Sequence, residues 1–92
     1  MNNRSSVTTV AIPMRLLSDR EVSATAKLLY GLIDYYQMMS GGICYETNAS
    51  LASWMCDCTP DTVSRCVREL KRAGYISTTY IVGYGREISI CR

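Results

Sequence analysis

The stretch Cys56-Asp57-Cys58-Thr59-Pro60-Asp61-Thr62-Val63-Ser64-Arg65-Cys66-Val67-Arg68-Glu69-Leu70-Lys71-Arg72-Ala73-Gly74 decides the fold. Thr59 is a good N-cap, because its hydroxyl can accept from a backbone N–H that would otherwise be orphaned. Pro60 takes the first helical position, where a missing N–H costs nothing. Val63, Cys66, Val67 and Leu70 recur at i, i+3, i+4 and i+7, the spacing of one buried helix face, and Gly74 stops the helix. The opposite stripe carries Asp61, Ser64, Arg65, Arg68 and Arg72. The segment predicts a helix that is apolar inside and cationic outside.

Upstream of it, Asn48 is expected to cap a short helix running through Met55 and burying Leu51, Ala52 and Met55, with Trp54 packed beside them. Two helices are then joined by a turn at Cys56-Asp57-Cys58-Thr59. Ser23 caps a longer helix from Ala24 to about Met39, ended by Ser40-Gly41-Gly42. The apolar residues of this helix cover more than one face, as in a helix that is central or shared with a second subunit. Thr8–Ile12 is β-rich and stopped by Pro13, which predicts a short leading strand or an extended arm. Met14–Ser18 fits a brief helical turn, Ile43-Cys44-Tyr45 a short strand, and residues 1–7 a flexible arm. Downstream, Tyr75–Val82 and Arg86–Cys91 flank Gly83-Tyr84-Gly85 and predict a β-hairpin. The expected fold class is α+β: a winged helix-turn-helix of three main helices and a C-terminal hairpin wing, in one domain over residues 1–92.

Composition narrows the function classes. The chain has 92 residues, 48% of them apolar and 20% charged, which is an ordinary globular balance. It contains no histidine, so the commonest general base and a common metal ligand are both missing. With no nucleophile–base pair and no phosphate loop in view, an enzyme is not expected, nor is a cofactor. The net charge of +2 is unevenly spread. Residues 1–58 carry four basic side chains against five acidic ones, net −1, and residues 59–92 six against three, net +3. That asymmetry points to an acidic partner for the C-terminal part.

Five cysteines, an odd number, fit reduced thiols better than a disulfide framework. Cys56 and Cys58 form a lone Cys-x-Cys with no second pair, which argues against a zinc site and leaves small reduced thiols or a redox switch at the turn. The N-terminus lacks the apolar core of a signal peptide, and the longest apolar stretch, broken by Lys27, Asp34 and Gln37, is too polar to span a bilayer. Cytoplasmic localisation without membrane contact is the expectation, and no small-molecule ligand is evident.

A helix with short polar residues and arginines on its outer face suits the major groove of double-stranded DNA. Thr59 and Thr62 stand near the helix start, where backbone N–H groups also attract phosphate. Arg65 is placed for bidentate guanine readout, and Arg68, Lys71 and Arg72 for phosphates. Arg86, beside the hairpin tip, would reach an adjacent backbone or the minor groove. Tyr35, Tyr36, Met38 and Met39 exceed what one helix face needs for packing and suggest a homodimer seam, in keeping with two-fold symmetric DNA sites.

The segments Ile12-Pro13, Leu16-Leu17, Ser23-Ala24-Thr25-Ala26-Lys27-Leu28-Leu29-Tyr30-Gly31-Leu32-Ile33, Thr47-Asn48, Leu51-Ala52, Thr62-Val63-Ser64-Arg65, Arg68-Glu69-Leu70 and Gly74-Tyr75-Ile76 resemble the winged-helix domains of plasmid and phage replication initiators. Replication initiator protein A and DnaD-like amino-terminal domains are among them. The resemblance implies double-stranded DNA binding, often as a dimer, through Thr59, Thr62, Ser64, Arg65 and Arg86. In this chain an often basic helix position is Asp61, which repels phosphate and would instead select cytosine. Sequence-specific DNA binding, by a small transcriptional regulator or by a mobile-element replication initiator, is the expected function. A winged helix used as a protein–protein inhibitor or adaptor is the alternative.

Overall fold

The structure, a computed structural model, describes residues 9–56, 58–83 and 85–91, so the flexible arm expected over residues 1–7 lies outside it. Its elements run α1 (Met14–Leu17), α2 (Ala24–Met39), α3 (Asn48–Ser53), α4 (Pro60–Arg72), β1 (Ile76–Ile81) and β2 (Gly85–Ile90). This is an α+β fold of helices followed by a hairpin.

Local chemistry sets most of the boundaries. α2 begins where the Ser23 hydroxyl accepts from the Ala26 N–H at 3.2 Å. It ends in bonds from Ser40 N to the Tyr36 carbonyl (2.9 Å) and from Gly42 N to the Gln37 carbonyl (2.7 Å). α4 begins at Thr59, whose hydroxyl accepts from Thr62 N at 3.2 Å, with Pro60 as its first residue. It closes in a Schellman motif: Tyr75 N donates to the Leu70 carbonyl (2.9 Å) and Gly74 N to the Lys71 carbonyl (3.0 Å). That motif needs a left-handed residue, and Gly74 supplies it at φ +85°.

Three local expectations are corrected. The cap of α3 is Thr47, not Asn48: the Thr47 hydroxyl accepts from Ser50 N at 3.1 Å, and Asn48 becomes the first helical residue. α3 also stops at Ser53, short of Met55. Trp54 N and Met55 N bond to the Leu51 and Ala52 carbonyls, three residues back, so the last turn tightens and ends. Trp54, expected to pack, is 66% exposed.

Of the two readings of the segment before Pro13, a short strand or an extended arm, the described residues 9–12 form the arm. Residues 9–13 have no regular secondary structure and lie across α2 at Gly31. A Cβ at Gly31 would meet the Val10 side chain at 3.0 Å, so glycine is what allows this close approach.

In the hairpin, Ile76 pairs with Ile90, Thr78 with Ile88 and Tyr80 with Arg86. The predicted strand at Cys44 is a single bridge: Cys44 and Ile88 exchange two backbone bonds of 2.9 Å, so β2 is flanked on both sides. Farther along that edge, Gln37 Oε1 of α2 accepts from Ile90 N at 2.7 Å. A backbone donor that lacks a strand partner is thereby satisfied.

The core gathers fully buried side chains from α1 (Leu16), α2 (Leu29, Ile33), α3 (Leu51), α4 (Val63, Leu70) and β2 (Ile88). Each such side chain contributes about 1.5–3 kcal/mol by leaving water. Cys58, just before the Thr59 cap, packs against the same cluster. Among the described residues no helix is long and apolar enough to cross a membrane.

Candidate nucleic-acid interface

The packing of α4 fixes which of its faces remains available. Val63, Cys66, Val67 and Leu70 are all buried, as their spacing predicts. The outward stripe therefore carries Asp61, Arg65, Arg68 and Arg72, all exposed, with Lys71 exposed beside them and Thr62 and Ser64 half-buried at the flanks. Thr59 is exposed at the cap, its hydroxyl 3.1 Å from that of Thr62.

Each of these side chains also has a local occupation. Asp61 stands in the first turn of α4, where a carboxylate stabilises the helix dipole by about 0.3–1 kcal/mol. Lys71 and Arg72 stand in the last turn, where cations do the same. Arg68 donates to the Ser64 hydroxyl at 3.1 Å. Arg68, Lys71 and Arg72 line one shallow surface depression, a shape and charge suited to a phosphate group. Arg65 donates from one terminal nitrogen to Glu69 Oε2 at 3.0 Å while its side chain stays 53% exposed.

Glu69 was not among the residues singled out from the sequence. It is 17% exposed and accepts from the backbone N–H (2.9 Å) and hydroxyl (3.3 Å) of Ser23, the cap of α2. The sequence signal was present in the i,i+4 spacing from Arg65, but the bond to Ser23 spans the chain and has no local signature.

Arg86 departs most from its expected role. Instead of reaching outward beside the wing tip, its guanidinium turns back to the start of α3. It donates to Asn48 Oδ1 at 2.7 Å and to the Glu46 carbonyl at 3.0 Å. Its Nε is buried and, among the described residues, has no hydrogen-bond partner. Arg86 ties the wing to the helix pair, which also explains why Asn48 is the first residue of α3 and not its cap.

The junction of α4 and β1 is held by Tyr75. Its hydroxyl donates to Asp19 Oδ2 at 2.7 Å, its ring meets that of Tyr30 edge-on, and the Arg15 guanidinium lies 4.9 Å above its centroid. This hydrogen bond, with a second from Glu21 N, holds the Asp19 carboxyl below its ordinary value of 3.8, and it raises the Tyr75 phenol above 10.0.

The four seam residues divide. Met38 and Met39 are 73% and 62% exposed, Tyr35 is half-buried, and Tyr36 packs against the core. On the outer side of α2, Leu28, Met38 and Met39 are exposed and Thr25 and Tyr35 half-buried, while Leu32 belongs to the core. A groove beside this face is lined by Val10, Leu28, Leu32, Trp54 and Met55. Burial pushes the Cys44 and Cys66 thiols up, which keeps them protonated and poorly reactive.

Two consecutive helices, the second with an open cationic face, followed by a two-stranded wing, define the class as winged helix-turn-helix. The chain belongs to the helix-turn-helix domain family, whose model matches residues 20–76. That match covers α2, α3 and α4 and stops at the first residue of β1, so the wing is assigned by the structure. No curated protein matches the chain, and no solved structure does.

Proposed function

We propose that this chain is a non-catalytic, sequence-specific binder of double-stranded DNA that lays α4 in the major groove. The observation that carries the reading is the outward face of α4, where Arg65, Arg68, Lys71 and Arg72 stand together opposite the buried stripe. Thr59, Thr62 and Ser64 serve backbone and base-edge contacts near the helix start, and Asp61 biases the base it meets toward cytosine. The biological role that fits a small winged helix of this pattern is a transcriptional regulator or the DNA-binding part of a plasmid or phage replication initiator. Modest net charge favours action as a homodimer, with Tyr35, Met38 and Met39 of the expected seam, beside the exposed Leu28, as the contact.

The test is duplex binding by fluorescence anisotropy over a salt series. Affinity should fall steeply, with a log–log slope of about −0.9 for each phosphate neutralised. A chain that binds no duplex at low salt sinks the reading. A second reading, a protein-docking module, is favoured by the exposed apolar groove around Trp54 and Leu28. It predicts salt-insensitive capture of an apolar partner segment and no loss when Arg65 is removed.

A further inference from the structure

We infer that Glu69 is the positioning residue of the interface, holding the Arg65 guanidinium at the angle from which it reads a base edge; this rests on the DNA-binding reading above. An exposed i,i+4 ion pair is ordinarily loose, because two long side chains must be ordered for one contact. Here one partner is already immobile. Glu69 Oε1 accepts from Ser23 N at 2.9 Å, and Oε2 accepts from both the Ser23 hydroxyl at 3.3 Å and Arg65 at 3.0 Å. Ser23 is the hydrogen-bonded cap of α2, so the carboxylate is anchored outside its own helix.

The geometry distinguishes positioning from simple neutralisation. A guanidinium has five N–H donors, and Glu69 engages only one of its terminal nitrogens, NH1. The edge formed by the other terminal nitrogen and Nε keeps two parallel donors, the fork that fits guanine O6 and N7. Glu69 itself is mostly covered and Arg65 mostly open, at 17% and 53% exposure. The carboxylate thus supports the arginine from behind without standing where a phosphate would approach. Arg68 differs, since its contact is a neutral hydroxyl on its own helix. Presetting Arg65 reduces the ordering that binding would otherwise require, and that gain applies to the base contact and not to phosphate attraction.

The experiment selects bound duplexes from a library with a randomised core, using the whole chain, and reads base preference by position. Thermal melting confirms that each variant folds. Arg65→Ala should flatten preference at one or two positions, by roughly 5- to 150-fold in discrimination. Glu69→Gln should relax those same positions by about tenfold while leaving affinity for the unselected library within about twofold, because no phosphate contact is removed. The double variant should be no worse than Arg65→Ala alone. Glu69→Asp, which keeps the charge and shortens the reach, should fall between wild type and Glu69→Gln, and it serves if the glutamine variant does not fold. Preference that survives Glu69→Gln unchanged, sharpens, or relaxes at positions Arg65 does not control overturns the assignment alone. A wild-type chain that retains no duplex overturns the DNA reading with it.

Discussion

The α4 helix and the wing each present an arginine that the sequence marks as a DNA contact, and the structure treats the two oppositely. Arg65 stays exposed and is steadied from one side by Glu69. Arg86 is half-buried and directs its terminal nitrogens to Asn48 and Glu46. The difference follows from where each residue sits. Arg65 projects from the face of a helix whose other face is sealed into the core, so its side chain stays open to solvent. Arg86 stands on β2, close to the start of α3, where the Glu46 carbonyl and the Asn48 side chain offer acceptors. A cation beside such acceptors is drawn inward. One arginine stays open to solvent and the other ties the wing to α3.

The largest effect should come from the sealed side of α4. Leu70→Ala leaves a cavity under the helix and should cost about 2–5 kcal/mol in denaturant unfolding, with no change in the charges facing outward. Next, Arg86→Ala should cost about 1–3 kcal/mol, because it leaves the Glu46 carbonyl and the Asn48 amide oxygen without their donor. Arg65→Ala, in contrast, should change stability by no more than about 0.5 kcal/mol, as expected of an exposed ion pair, yet flatten base preference. Were Arg86→Ala to leave the melting temperature alone and weaken duplex binding instead, the contrast between the two arginines would collapse.

A smaller effect should separate phosphate contact from base contact within α4. Lys71→Ala should weaken binding about equally for all duplexes and make the salt slope shallower by about 0.9. An effect confined to one sequence would reassign Lys71 to base readout.

The smallest effect lies at Tyr75, the joint between the two regions. Asp19 has a lower pKa in the folded chain than in the unfolded one, so its contribution to stability is present above the ordinary value of 3.8. It disappears as the pH falls through the lower folded value. Tyr75 has a raised pKa, so the same bond contributes fully below pH 10.0 and is lost as the pH rises through the folded value. Tyr75→Phe should therefore reduce stability modestly near neutrality and flatten the acid limb of a pH–stability curve. An acid limb identical to that of wild type would show that other carboxylates control it.

The two faces of α4, its cap and its Gly74 stop were all legible in the sequence, as were the α2 boundaries and the hairpin. Those features arise from contacts within about four residues, and period and capping chemistry report them directly. The α3 cap was misplaced by one residue because Thr47 and Asn48 are both good caps. The choice between them follows from Arg86, which takes the Asn48 side chain. Trp54 was expected inside because it adjoins Met55, but the tightened end of α3 turns it outward. The Thr8–Ile12 stretch has strand propensity, but among the described residues no strand pairs with residues 9–12, and Val10 and Ile12 take the space that Gly31 opens on α2.

What the sequence alone determined is therefore the set of elements and the polarity of α4, since both depend on spacing along one short segment. Only the tertiary structure decided how each charge is used. Asn48 and Arg86 are 38 residues apart, Ser23 and Glu69 46, and Asp19 and Tyr75 56. Nothing in the spacing of a helix or strand announces such a pair. These contacts exist because α2, α3, α4 and β2 bury their apolar faces against one another, and the polar groups left at the seams must then find partners where they stand.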